Sequence, residues 1–284
     1  MQVAQIAKES WFDSIWYTAV PHLKDALLQS VIGVFRRVIT FPGYCQTAFV
    51  PWKALEPYQA KTEITHDSIE SGHTFFHSVP KEKLHYIVNR AHRLTKAYGI
   101  TQQLKIVPAV EATGAIGTSF SDKVVLTINK DTTDRPDEII DFILAHELAH
   151  VAHNHILYDL AFKIAVAVLD TSAAFFVSPL LIPLCEAIAA PLANFGSRIR
   201  ERDADLTAMK ILNTNIGAVA MFSQRVEQAK ALRVRSLKEP ERQLTLEELA
   251  ARQRDISPEG DNRLDIFHPS YSQRLAYAQA FLRA

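Results

Sequence analysis

Two histidines and a glutamate form the pattern His-Glu-Leu-Ala-His at residues 146–150. No proline or glycine interrupts residues 137–156, and apolar residues surround the histidines, so the segment predicts a helix. Side chains four residues apart share one face of a helix, so the imidazoles of His146 and His150 can converge on one ion. Glu147 then stands beside that ion without having to bind it. The pattern therefore predicts a metal site on a helix.

This arrangement is typical of zinc hydrolases. A ligating imidazole must be neutral, and an adjacent carboxylate can take the proton of a water molecule whose pKa the metal lowers to about 7. We therefore predict Zn²⁺ as the cofactor, His146 and His150 as ligands, and Glu147 as the general base. The alternative is a buried helix with two incidental histidines, because short patterns of this kind also arise by chance.

A catalytic zinc ion needs a third protein ligand and an open fourth position. In the extended metzincin pattern the third histidine would stand six residues after His150, where this chain has Ile156. The metzincin interpretation therefore fails. His153 lies one turn along the same predicted helix and is interpreted as a surface or packing histidine, and His155 is expected to point elsewhere.

A better third ligand lies in the charged run of residues 198–205. Glu201 and Asp205 stand four apart on a predicted helix, so the glutamate can bind zinc while the aspartate reaches the free nitrogen of a zinc-bound histidine. The alternative is a solvated charge run in which Arg198 and Arg202 pair with the acids. The His-Glu-Leu-Ala-His pattern favours the zinc interpretation.

The rest of the pattern predicts an α+β protein that is mostly helical, with a small sheet and an active-site helix. The motif helix is expected to begin at Asp134-Arg135-Pro136, with a capping residue, an early proline and acids in its first turn. Strands are predicted at 103–107 and 123–128, separated by a glycine-bearing segment at 113–118. Further helices are predicted at 22–39, 80–98, 195–212, 217–232 and 244–254, and a last helix after the capping residue Ser270.

This pattern suggests a division of the chain. Residues 80–284 are expected to form the metal-binding domain, and residues 1–79 an N-terminal helical and irregular extension, with 40–79 irregular. An apolar helical insertion is expected at about 157–196 and a polar, solvent-facing excursion at about 233–263. The uncharged run 171–185 is shorter than the roughly 20 residues of a spanning helix and contains prolines, so membrane contact stays open.

Composition excludes several classes of function. Thirty-one basic residues balance 31 acidic ones, and no dense Lys/Arg run occurs, so nothing indicates a nucleic-acid partner. Two cysteines argue against a disulfide framework. The N-terminal residues lack the pattern of a secretory signal peptide. We therefore expect a cytoplasmic protein or one associated with the cytoplasmic membrane.

Over roughly residues 80–284 the sequence resembles the HtpX-like and CAAX prenyl protease type of zinc metallopeptidase, a gluzincin family. The resemblance rests on the segment 113–120, the 146–150 motif, the pair Glu201 and Asp205, and His268-Pro269 with Arg274. Membrane members of that family have two spanning helices between the motif and the glutamate ligand. This chain departs from that pattern, because its apolar insertion is short, proline-broken and flanked by charges.

The resemblance implies a zincin-like metalloprotease core and a role for each matching residue. Glu201 would be the third zinc ligand, and Asp205 would orient a zinc-bound histidine. The edge segment with Ala115, Ile116 and Gly117 would pair with an extended protein or peptide substrate. His268 and Arg274 would bind or polarise the substrate carbonyl.

These observations together predict a zinc metalloendopeptidase that hydrolyses peptide bonds in protein substrates, with a role in protein quality control. The first alternative is a zinc-binding chaperone or adaptor whose site is structural or is plugged by a segment of its own chain. The second is a membrane-surface interaction protein organised by the segments at 22–39 and 171–196. The sequence gives neither the substrate nor the oligomeric state.

Overall fold

The protein is described here from a computed structural model of the full chain. The described residues are 63–72, 76, 78–109, 113–117, 122–172, 182–239, 243–246, 248, 255–262, 265 and 268–281. The predicted helix at 22–39, the edge residues 118–120 and most of the predicted helix at 244–254 lie outside these residues.

The described elements are mostly helices around one small sheet. In chain order they are α1 His66–Glu70, α2 Lys81–Ala97, β1 Gln103–Ala109, β2 Gly114–Ile116, β3 Lys123–Asn129, α3 Lys130–Thr133, α4 Asp137–Ala152, α5 His155–Ser172, α6 Ile182–Leu212, α7 Ile216–Lys238 and α8 Tyr271–Ala280. This architecture confirms a mostly helical α+β protein with a small sheet.

The sheet has three strands in the order β1-β3-β2. The central strand β3 pairs in parallel with β1 and antiparallel with β2. Its residues 124–128 are all buried, as expected for a strand with a neighbour on each side. The short strand β2 forms one edge of the sheet, next to the motif helix α4.

Helix α4 lies in the middle of the core and contacts α2, α7 and the sheet. Phe142 of α4 packs edge to face against Phe222 of α7, with ring centroids 5.5 Å apart. At Gly217, near the start of α7, a Cβ atom would lie 2.0 Å from the carbonyl oxygen of Glu138. Only glycine permits this approach of α7 to α4. The motif helix is therefore held from several sides by closely packed elements.

The ends of α4 differ from the prediction. The helix begins at Asp137, and Pro136 is its N-cap residue. Asp134 instead closes the short helix α3, which the sequence did not predict. At the other end the helix stops at Ala152, because Asn154 takes a left-handed conformation with φ of +54°. This turn separates α4 from α5, and His155 starts the new helix.

The bounds of other helices also differ from the prediction. Helix α6 begins at Ile182 rather than at residue 195, and it contains Pro191. Helix α7 continues to Lys238, so the first six residues of the stretch predicted as a polar, solvent-facing excursion belong to a helix, and Ser236 there is buried. Short helix α1, capped by the side chain of Thr65, lies in the segment predicted to be irregular.

The strands and the last helix agree closely with prediction. The two predicted strands are each longer by one or two residues, and Gly99 follows α2 with φ of +67°. The Ser270 side chain accepts a hydrogen bond from the Gln273 backbone N–H at 3.3 Å, so it caps α8 as predicted.

The described residues fall into two compact units. One contains residues 157–172 and 182–197, and the other contains the described residues before 157 and after 197. Every residue of the predicted metal site belongs to the second unit. Across the part of the chain that the structure describes, no helix is long and apolar enough to cross a membrane. The boundary predicted between residues 79 and 80 stays a prediction.

Candidate metal centre

Three ligand-type atoms from α4 and α6 come together in the second unit. The Nε2 atoms of His146 and His150 lie 3.1 Å apart. Glu201 of α6 places one carboxylate oxygen 3.5 Å from Nε2 of His146 and the other 3.4 Å from Nε2 of His150. The site is largely enclosed, since the three side chains are between 11% and 21% exposed.

The donor atoms suit a zinc ion. Zinc binds imidazole nitrogen and carboxylate oxygen at about 2.0–2.2 Å in a tetrahedron, which puts neighbouring ligand atoms roughly 3.3 Å apart. The observed separations of 3.1, 3.4 and 3.5 Å bracket that value. His146, His150 and Glu201 therefore fit a zinc ion with a fourth position left for water or substrate.

A buried carboxylate supports His146 from behind. Oδ1 of Asp205, which is fully buried, lies 2.8 Å from Nδ1 of His146, a close ionic contact too bent for a well-aligned hydrogen bond. Arg274 of α8 donates to both oxygens of Asp205, from Nε at 2.8 Å and from a terminal nitrogen at 2.6 Å. The Tyr277 hydroxyl also donates to this carboxylate. Residues of α6 and α8 thus fix the orientation of His146.

His150 is supported by another histidine. Nδ1 of His155 lies 2.9 Å from Nδ1 of His150, and Nε2 of His155 lies 3.2 Å from Asp203. The expectation that His155 points elsewhere is therefore wrong. The turn at Asn154 brings His155 back toward α4, which an unbroken helix could not do. With an ion bound at Nε2 of His150, Nδ1 of His150 would carry a proton and donate a hydrogen bond to Nδ1 of His155. The proton of His155 would then be on Nε2 and would point to Asp203.

The predicted general base lies against the edge strand. Oε2 of Glu147 accepts a hydrogen bond from the backbone N–H of Ala115 in β2 at 3.2 Å. At Gly114 a Cβ atom would come within 3.8 Å of the same oxygen. Burial raises the pKa of Glu147 above the ordinary value for a glutamate. The contact with Ala115 thus fixes the carboxylate of a potential proton acceptor close to the edge of the sheet.

Electrostatics distinguish the two histidines of the motif. Burial lowers the pKa of His150 to about 3, so its imidazole is neutral. Burial alone would lower the pKa of His146 too, but the carboxylates of Asp205 and Glu201 outweigh it and raise this pKa to about 10. A cation held at the Nε2 atoms would take the place of that proton, because a ligand nitrogen needs a free lone pair. Burial opposes ionisation of Glu201, yet His146 holds its pKa at about 2.

The remaining predicted residues have other neighbours. Ile116 is the last residue of β2, and Gly117 follows it where a Cβ atom would lie 2.8 Å from the side chain of Val124. His268 is about half exposed, and its Nδ1 lies 2.9 Å from Asp265. None of these three residues is among the ligand-type residues that gather at the centre, and their predicted contacts with substrate stay predictions.

Arg274 is buried, at 6% exposure, and its guanidinium lies against the ring of Phe222 as well as on Asp205. One of its terminal nitrogens lies 3.5 Å from Glu201. These contacts give Arg274 a role in holding Asp205 and Glu201 in place. Its predicted contact with a substrate carbonyl stays a prediction.

Sequence reasoning missed Tyr277 and the role of His155. Tyr277 stands three residues after Arg274, so the two share a face of α8, and this spacing was a usable signal. For His155 the sequence offered only a third histidine after the motif, and the turn that reorients it has no proline or glycine.

Comparison with protein families identifies the chain. The model of Peptidase family M48 matches residues 115–281, which is more than half of the 284 residues. The chain belongs to peptidase family M48. Searches of curated proteins and of solved structures found no match.

The M48 match begins at Ala115 in β2 and ends at the last turn of the chain's described helices, so it contains every residue of the centre. It confirms the resemblance to HtpX-like and CAAX prenyl protease-type metallopeptidases over a shorter span than 80–284. M48 proteins are peptidases, typically zinc-dependent, which supports a hydrolase acting on peptide bonds.

Proposed function

We propose that this M48 protein is a zinc metalloendopeptidase. The observation that carries the proposal is the spacing of His146, His150 and Glu201, whose ligand atoms already stand at the separations of a tetrahedral zinc site. Glu147, on the helix that supplies both histidines, is partly buried between them and β2. A metal site that leaves one position open next to a carboxylate base favours hydrolysis over a structural role.

A bound zinc ion would supply Lewis-acid polarisation of the scissile carbonyl and of the attacking water. Glu147 takes the proton of that water and returns it to the leaving amine. The Ala115 N–H orients this carboxylate. His268 stabilises the oxyanion that develops on the carbonyl, a role that the family resemblance supports.

The substrate binds in extended form along the edge strand β2. An edge strand has unpaired backbone groups that an extended peptide can use, and main-chain hydrogen bonds then supply affinity without side-chain selectivity. The N–H of Ala115 is already used by Glu147, so the substrate must pair with other groups of residues 114–117. Because β2 lies against Glu147, a peptide bound along β2 has its scissile bond close to the general base.

A role in protein quality control is part of this proposal.

The alternative function is a zinc-binding chaperone or adaptor in which a segment of the chain covers the centre. The two functions can be told apart, because only the peptidase cleaves a peptide substrate. A zinc-loaded protein that binds unfolded substrates and leaves them uncut would favour the alternative.

The proposal is tested by removing and restoring zinc. The full chain is treated with a chelator, dialysed, and mixed with a quenched fluorescent casein at a series of zinc concentrations. We expect no cleavage after chelation and full recovery when one zinc ion per chain is restored. Magnesium at the same concentration serves as the control ion and should restore nothing. Cleavage that persists in the chelated protein, or that zinc fails to restore, would refute the proposal.

A further inference from the structure

A second group of ligand-type side chains lies beside the first. His153, His155 and Asp203 each offer one atom, and these three atoms lie within 4.8 Å of one another. Nε2 of His155 is 3.2 Å from Oδ2 of Asp203, and Nδ1 of His153 is in contact with the same oxygen. Two imidazoles and a carboxylate form the donor set that zinc and neighbouring transition metals prefer.

The local structure explains why these side chains meet. His153 caps the end of α4, and the left-handed Asn154 turns the chain so that His155 begins α5. Asp203 stands two residues after Glu201 on α6, so the two carboxylates point in different directions from one helix. The second group thus combines the end of α4, the first residue of α5 and α6, whereas the first group comes from α4 and α6.

Exposure gives an ion a way in. The side chains of His153 and Asp203 are 39% and 45% exposed, whereas that of His155 is 8% exposed. The buried histidine supplies a fixed ligand and the two outer residues line the entrance. The positive charge of Arg200 acts on His155 and opposes a cation there, and Asp203 favours one. This group should therefore bind more weakly than the enclosed centre of His146, His150 and Glu201.

His155 links the two groups through its ring. A zinc ion on Nε2 of His150 keeps a proton on Nδ1 of that residue, so Nδ1 of His155 must accept. An ion on Nε2 of His155 shifts its proton to Nδ1, because a neutral imidazole has one proton. Two N–H groups would then face each other across 2.9 Å. Occupation of either group therefore disfavours occupation of the other.

We propose that His153, His155 and Asp203 form a second zinc site whose occupation puts a proton on Nδ1 of His155, weakens His150 as a ligand of the first ion and so inhibits the peptidase. The inhibition rests on the function proposed above, whereas the second site and its opposition to the first do not. By linkage, the opposition acts equally in both directions. The site makes the protein sensitive to zinc in excess of one ion per chain.

Binding is measured by dialysing the full chain against zinc buffers of increasing free concentration and determining zinc per chain. We expect two steps for the wild type, ending at two ions. His153→Ala and Asp203→Asn should move the second step to at least about tenfold higher zinc, because each loses a ligand. His92→Ala, which changes an exposed histidine of α2, is the matched control and should retain both steps. A single step in the wild type, or an unshifted second step in both variants, would overturn the site.

The opposition is measured by weakening the first site. In Glu201→Ala, His150 is released from its ion, so His155 can bind zinc without facing a proton. The second site should then fill at lower free zinc than in the wild type. Loss of the Glu201 charge alone would weaken cation binding, so a tighter site would show that the first ion opposes the second, through the facing protons and the repulsion between the two ions. An equal or weaker affinity would overturn the opposition.

Inhibition is read from casein cleavage, relative to the rate of each protein with one zinc ion. The wild-type rate should fall over the zinc range of the second step, and that of His153→Ala should not. Wild-type cleavage that continues undiminished with two ions bound would refute inhibition. A chain that binds two ions and never cleaves would refute the proposed function and leave the second site intact. An enzyme that cleaves casein but shows one binding step would refute the second site and leave the proposed function intact.

Discussion

Arg274 donates two hydrogen bonds to the buried carboxylate of Asp205, from Nε to Oδ2 at 2.8 Å and from a terminal nitrogen to Oδ1 at 2.6 Å. The pair joins α8, near the end of the chain, to the helix α6 that carries Glu201. Burial opposes the ionised form of Asp205, and the Arg274 charge keeps the pKa of this carboxyl below its ordinary value. Asp205 is therefore held as an anion beside Nδ1 of His146.

This arrangement predicts a large stability loss on replacing Arg274 by methionine. Breaking a buried ion pair leaves the other charge without compensation, which costs about 3–5 kcal/mol. Arg225→Met, on the exposed face of α7, is the matched control. Urea unfolding of both variants in the presence of a chelator measures the free energy of unfolding. A loss no larger than that of the control would show that the pair does not stabilise the fold.

Replacing Glu201 by alanine should remove most of the zinc affinity. The change deletes the one carboxylate among the three ligands, and even residues that only support a ligand contribute about 10–100-fold to metal affinity. We expect a loss of roughly 100-fold or more at the first site, measured by competition with a zinc chelator. Glu227→Ala, an exposed glutamate of α7, should bind as tightly as the wild type. Equal affinity in Glu201→Ala would contradict the ligand assignment.

The hydrogen bond with Asp265 should shift the titration of His268. That bond raises the pKa of His268 above 6.5, burial opposes it, and the Glu201 charge adds to the increase while that of Arg274 reduces it. A raised pKa in the folded state adds stability that is complete below about pH 6.5 and disappears as the pH rises through the folded pKa. NMR titration of the chelated protein should give a midpoint above 6.5 that falls in Asp265→Asn. A midpoint that the substitution leaves unchanged would exclude this hydrogen bond as the cause.

The motif helix and the sheet could be predicted because their signals are local. Spacing of four residues puts His146 and His150 on one face, and alternating or continuous apolar runs mark strands β1 and β3. The same local logic identified Glu201 and Asp205 as a pair. Helix ends were less accurate: Asp134 has the chemistry of a cap, but the chain uses it to close α3 instead.

Contacts between distant residues could not be predicted in the same way. The family resemblance assigned Arg274 to the substrate carbonyl, and its burial on Asp205 depends on how α8 packs on α7. The contact of His155 with His150 needs a left-handed residue at position 154, and asparagine permits that conformation without requiring it. Both depend on tertiary packing, which spacing within one segment does not encode.

The account rests most directly on Glu147, so the decisive measurement is casein cleavage by Glu147→Gln loaded with one zinc ion per chain. The amide keeps the shape of the side chain and removes its ability to take a proton. We predict that the variant retains zinc and loses cleavage by roughly 100-fold or more, while Glu138→Gln, an exposed position on the same helix, cleaves as the wild type does. A zinc-loaded Glu147→Gln that cleaves at the wild-type rate would contradict the account.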